Sequence, residues 1–183
     1  MITRRIPWLS PRSLRFAADR RGSSAVEFAL LLPLMLIMYF GSIQITDAIS
    51  ADRQVTLVAS TVAEITSQFS TVSSTDVSNI LAAASAVLTP FPVANAKVTL
   101  SSVLIDANGN ATIDWSATLN GTQRSGTVTS SIPPALLVPN TSLIWGEANY
   151  SYKPAIGWVI TGTIAMYDRI FLRPRQSANV VHS

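Results

Sequence analysis

The sequence predicts an α+β protein: a long N-terminal helix, membrane-crossing in its first half and amphipathic in its second, then a second helix and an antiparallel sheet of about four to five strands. Three observations carry this. An uncharged apolar run opens at Phe28, apolar residues then recur at steps of three and four as far as Phe69, and beyond Pro92 the period shortens to two.

The span comes first. Phe28 to Thr46 is 19 consecutive uncharged residues, preceded by Ala25, Val26 and one acid, Glu27. At about 1.5 Å per residue this matches a hydrocarbon core of roughly 30 Å. A buried core helix is the competing reading, but core helices usually keep a polar stripe, which this run lacks. Pro33 is tolerated in a membrane helix when neighbouring groups satisfy the freed carbonyl. The run exceeds a secretory h-region, and Gly41-Ser42-Ile43-Gln44-Ile45 offers no small-x-small cleavage site directly after it.

Charge sets the expected orientation. The chain carries 13 Lys+Arg against 10 Asp+Glu, but residues 1–22 hold six of the arginines (Arg4, Arg5, Arg12, Arg15, Arg20, Arg21) against Asp19 alone. The remainder is slightly acidic. Arg20 and Arg21 are therefore the topology signal: by the positive-inside rule the leader stays cytoplasmic and everything after Thr46 lies across the membrane. The apolar run that follows the basic arm argues against nucleic acid as its partner.

The amphipathic stretch has apolar positions Ala48, Ala51, Val55, Val58, Val62, Ile65 and Phe69, with Asp47, Asp52, Arg53, Gln54, Glu64 and Gln68 off the stripe. Unbroken from Ser24 to Phe69 it is about 70 Å long at 1.5 Å per residue; the alternative is two helices with a hinge near Gly41-Ser42. Ser73-Ser74-Thr75-Asp76 is a capping cluster, after which Val77, Ile80, Leu81, Ala84, Val87 and Leu88 trace a second helix ended by Pro90 and Pro92. Val98, Leu100 and Leu104 alternate on a strand, Asn108-Gly109 reads as a two-residue hairpin turn, and Ile113, Trp115 and Ala117 alternate on the return. Asn120-Gly121 turns the chain toward a short strand at Gly126-Thr127-Val128-Thr129. Pro133, Pro134 and Pro139 mark an exposed, edge-protecting connection, and extended runs follow at Leu143–Tyr152 and Ile160–Leu172. Such a sheet covers one face with the long helix and can leave the other wet.

Catalytic chemistry is thin. The absence of cysteine excludes thiolate sites, and with a single His182 in a tail expected to fray no His-based triad or zinc site is expected. Asp106, Asp114, Glu147 and Asp168 fall on separate strands or turns without metal-ligand spacing, and there is neither a phosphate loop nor a Gly-x-Ser-x-Gly elbow. No enzymatic activity, cofactor or metal is expected. The sequons at Asn110, Asn120, Asn140 and Asn149 are what a Ser/Thr-rich chain supplies by chance.

The informative stretch is Arg20-Arg21-Gly22-Ser23-Ser24-Ala25-Val26-Glu27-Phe28-Ala29-Leu30. A basic stretch ends in glycine, and the fifth residue after it is an acid at the edge of the apolar run, followed by an aromatic. This resembles a type IV prepilin processing site, and the string RRGSSAVEFALLLPLML resembles the TadE-like pseudopilins of the tight-adherence (Tad/Flp) pilus system. The resemblance implies cleavage after Gly22 by a membrane-embedded prepilin peptidase, with Ser23 as the new N-terminus. It also implies other pilins, assembly-platform proteins and the lipid bilayer as partners, and a pilin-like helix bearing a periplasmic head. Tyr150-Ser151-Tyr152-Lys153-Pro154 and Arg173-Pro174-Arg175 resemble further short TadE-like motifs; read as structure, the tyrosines pack on an edge strand and the arginines form a solvated tail.

Physics bears on the same junction. An ionised glutamate at the edge of a bilayer is rarely kept without a partner. An α-ammonium freed at Ser23 lies one helical turn from Glu27, on its own or a neighbouring subunit; alternatively Glu27 sits in the headgroup layer beside Arg20 and Arg21. Glu27 and Phe28 are thus the expected assembly positions. The chain divides into a basic cytoplasmic leader (1–22), a transmembrane helix (23–46), its amphipathic extension (47–72) and a periplasmic α+β head (73–183). The expected function is a minor pseudopilin in Tad pilus assembly at the inner membrane. The alternative is an uncleaved single-pass protein whose head binds a partner or a carbohydrate.

Overall fold

The computed structural model describes residues 21–154 and 161–183. The leader up to Arg20 and the start of the extended run at Ile160 lie outside the described residues.

Helix α1 runs unbroken from Arg21–Ser67, through Pro33 and without a hinge at Gly41-Ser42. Three of its hydroxyls are satisfied along its own axis: Ser42 Oγ donates to the Tyr39 carbonyl (2.8 Å), Thr46 Oγ1 to Ser42 (2.9 Å) and Ser50 Oγ to Thr46 (2.9 Å). Such back-bonds let polar residues sit in an apolar helix without orphaned donors. The short strand β1 (Thr71–Val72) leads into α2 (Ser74–Val87). Ser73 caps α2 through a reciprocal box with Asp76, which satisfies two orphan N–H groups of the first turn. Those bonds hold the Asp76 carboxyl below its ordinary pKa, the side-chain bond from Ser73 contributing most.

Strands β2 (Ala96–Ile105), β3 (Ala111–Leu119), β4 (Thr141–Tyr152) and β5 (Ile164–Leu172) form one antiparallel sheet in the order β3-β2-β4-β5. Among the described residues this sheet has no fifth strand. Gly126–Thr129 makes only an isolated bridge, Thr112 to Thr127, before the chain turns into a short 3-10 helix. The β2–β3 turn is also longer than a two-residue hairpin. Asp106 accepts from the backbone N–H of Asn108 and Asn110 (both 2.8 Å), which organises a five-residue connection with Gly109 at φ +81°. Asp106 competes for these donors better than a tight Asn-Gly turn does.

One sheet face carries α1. Ala51, Val55, Val58, Ala59, Val62 and Ala63 are buried against Val98, Leu100, Ile144, Ala148 and Tyr150, and α2 adds Val77, Ile80, Leu81 and Ala84 to the same core. The approach is close at Gly146, where an added Cβ would stand 2.5 Å from the Ala59 carbonyl oxygen. Tyr150 and Tyr152 are buried on β4, an interior strand, rather than on an edge; Phe91 packs edge-on to both rings. The other face is not simply wet. Val103, Leu143 and Trp145 are covered by Val128 and Ile132 of the 120–140 connection, with Leu136 and Leu137 packed alongside. That connection bonds to the β3 edge through its bridge, the flanking bonds at Gly126 and Val128 and side-chain bonds at Ser116 and Thr129, and its apolar residues close this second core.

The C-terminal tail is tied down. β6 (Val181–His182) pairs in parallel with β1, Val180 is fully buried, Trp115 Nε1 donates to the Val180 carbonyl (2.7 Å), and the Arg175 N–H donates to the Ser67 carbonyl (2.8 Å). Fraying was expected from position alone; burial and backbone bonding decide otherwise. Arg175 is not merely solvated either, since Nη2 pairs with Glu64 at 2.6 Å.

Candidate functional site

Two regions carry chemistry. The first is the N-terminal part of α1. Every residue from 22 to 39 is exposed, including Val26, Phe28, Leu30, Leu34, Met35 and Met38, whereas the docked part of the same helix buries Ala51, Val55, Val58 and Val62 of its stripe. Its apolar character therefore has no use inside this chain. A bare apolar helix of this length is stable only in lipid or among other helices. α1 is long and apolar enough to cross a membrane, and its most apolar window is almost entirely unburied, unlike a core helix.

The junction residues lie at the start of this bare segment. Gly22 occupies the first turn of α1, and a Cβ added there would meet nothing within 4 Å. Ser23 precedes Glu27 by one helical turn, and both are exposed, as is Phe28 at 58%. Arg21 opens the helix, while Arg20 is outside the described residues. The structure brings Gly22, Ser23, Glu27 and Phe28 onto one uncovered helical end and does not bring the head to them.

The second region was missed by sequence reasoning. Glu147 is 2% exposed on β4. Its Oε1 accepts from Arg124 Nη2 (2.6 Å) and from the Tyr167 hydroxyl (2.8 Å), while Oε2 accepts from Arg124 Nε. The Arg124 guanidinium also lies 4.3 Å from the centre of the Trp145 ring. A buried carboxylate keeps its charge only with such pairing. The bond to Glu147 raises the Arg124 pKa, and burial first, then that same carboxylate, pushes the Tyr167 hydroxyl up to about 12. A signal was available: Leu143, Trp145 and Glu147 alternate on one face of β4, and an acid at an otherwise apolar alternating position implies a partner.

Comparison with known proteins bears on the first region. No curated protein and no solved structure matches the chain. A family model does, over residues 22–64, which begins at Gly22, takes in the bare segment and most of the docked part of α1, and stops short of the sheet. That family is described as TadE-like protein, and it is to this family that residues 22–64 of the chain are similar.

Proposed function

We propose that the protein is a minor TadE-like pseudopilin of a Tad/Flp pilus assembly system, anchored in the inner membrane by α1 with its head in the periplasm. The observation that carries this is the bare apolar helix beginning at Gly22, matched by the family model from that same residue. In this reading a prepilin peptidase cleaves after Gly22 and Ser23 becomes the N-terminus. The Ser23 α-ammonium and the Glu27 carboxylate, one turn apart, then neutralise each other within a subunit or between neighbours as α1 leaves lipid for a helical bundle. Phe28 and the apolar residues after it supply the bundle contacts, and Arg20 and Arg21 hold the leader in the cytoplasm before cleavage. The head acts by binding and assembly, not catalysis; its partners are other pilins and the assembly platform.

The test is a Glu27→Gln chain expressed in a strain lacking the native copy. Intact mass should show a chain beginning at Ser23, because cleavage does not need the carboxylate, while surface piliation should fall by about a hundredfold or more, since breaking a buried pair costs about 3–5 kcal/mol. A chain that retains Met1 beside an active peptidase supports the uncleaved anchor instead. Normal cleavage with normal piliation removes the role given to Glu27.

A further inference from the structure

The outer face of the sheet is closed by the 120–140 connection over one half and open over the other. The open half is a groove of about 480 Å³ whose walls include Lys97 and Thr99 of β2, Glu147 and Asn149 of β4, and Arg124 on the segment after Gly121. The groove exists because Gly121 lets that segment lie against β3: an added Cβ would stand 2.6 Å from Thr118 Oγ1.

Its charges are unequal. The Glu147 carboxylate is spent on Arg124 and Tyr167, which cancels one positive charge and uses the acceptor atoms that a cation would seek. Lys97 is exposed on β2 and forms no ion pair with a carboxylate among the described residues, which leaves the groove at net +1. Arg124 is held on two sides, by the Glu147 fork and the Trp145 ring, while its Nη1 bonds to no described residue. A guanidinium already fixed in place loses little freedom when it accepts a second anion. The remaining walls offer the Asn149 amide and the Thr99 hydroxyl.

We propose that this groove binds a carboxylate, on a free acid or on an acidic side chain of a docking peptide, with Lys97 and Arg124 Nη1 as its charged partners and Asn149 and Thr99 as its neutral ones. The site lies on the head, opposite the face that carries α1, so it is independent of the assembly role of the helix.

The experiment uses the full chain in detergent micelles, followed by amide and side-chain N–H resonances at constant ionic strength. Glutarate, a capped triglutamate peptide and inorganic phosphate are titrated separately. Glutarate or the peptide should give saturable shifts confined to Thr99, 121–125 and Asn149, and the tighter of the two identifies the source of the carboxylate. Lys97→Gln should weaken binding about tenfold or more, the scale of one charge-assisted bond, with the rest of the spectrum unchanged, and Lys97→Arg should restore it. Absence of saturable shifts with both carboxylates, equal affinity for phosphate, or undiminished binding by Lys97→Gln would each overturn the assignment.

Discussion

Replacing Gly146 by alanine tests whether α1 is seated on the sheet as described. The new Cβ would lie 2.5 Å from the Ala59 carbonyl oxygen, 3.0 Å from Ala63 Cβ and 3.2 Å from Val62 Cγ2. Favourable separations between such atoms are about 3.5–4.0 Å. The nearest obstacle is main chain, so no rotamer change relieves it; the helix must lift by roughly 1 Å from β4, loosening the buried row from Ala51 to Ala63. Overpacking of this kind costs about 1–3 kcal/mol, and a main-chain obstacle places it near the top. Alanine returns about 0.4–1 kcal/mol through the unfolded chain, which leaves a net loss of about 2 kcal/mol. For a chain of this size that lowers Tm by about 4–8 °C. Thermal unfolding of the full chain in detergent, followed by the near-ultraviolet signal of buried Trp145, measures it. Gly22→Ala, with open space around the new Cβ, is the control and should leave Tm within 2 °C. Adding Ala63→Gly should recover only part of the loss, because the Ala59 carbonyl stays in place. A Gly146→Ala chain as stable as the control would refute the docking of α1 on β4.

The other predictions concern the head. Arg124→Met should destabilise by about 2 kcal/mol, between a surface pair and a fully buried one because Arg124 is partly open to water, and Glu147→Leu added to it should restore most of the loss in denaturant unfolding. Ser73→Ala removes the cap of α2 and should cost about 1 kcal/mol, read as a lower urea midpoint with an unchanged m-value. Tyr167 keeps its proton in the fold to about pH 12, whereas an unfolded tyrosine titrates near 10. Its folded pKa is raised, so its contribution is fully present below about pH 10 and is lost as pH climbs toward 12. An absorbance titration of tyrosinate should show a late step that is absent from Tyr167→Phe, and a Tyr167→Phe difference that titrates near pH 10 would contradict the raised value.

What could be read from the sequence depended on how local the cause was. α1 and α2 were legible because their apolar stripes and the Ser73–Asp76 cap are set by residues three and four apart, and a period of two exposed β2 and β3, while β4 showed as an extended run. The stripe, however, omitted Ala59 and Ala63, which are buried because Gly146 is small on the facing strand; nothing within α1 records that. The tyrosines of β4 suggested an edge because alternation reports one face only. What makes β4 interior is the continuous burial from Ser142 to Ala148, with both faces covered by distant segments. The same holds for the tail and for the 120–140 connection, whose prolines signal irregularity but not the face they cover.

The Arg124–Glu147 pair shows where the line falls. Its members are 23 positions apart in chain order, and Arg124 sits in a segment without periodicity, so spacing could not join them. Yet between Val98 and Tyr152 the sequence holds one cation, Arg124, and three acids, Asp106, Asp114 and Glu147. Of the three acids, Glu147 alone shares the alternation of Leu143 and Trp145, and so faces burial if those two do. A buried acid needs a positive partner, and this stretch supplies one. The conflict between pattern and charge was thus a signal for both residues that sequence reasoning did not use. The same reasoning applies to Glu27, another acid in an apolar setting, except that among the described residues the head supplies no cation to it. In the function proposed above its partner is the freed Ser23 terminus, on its own or a neighbouring subunit, which is why its substitution tests assembly while that of Glu147 tests folding.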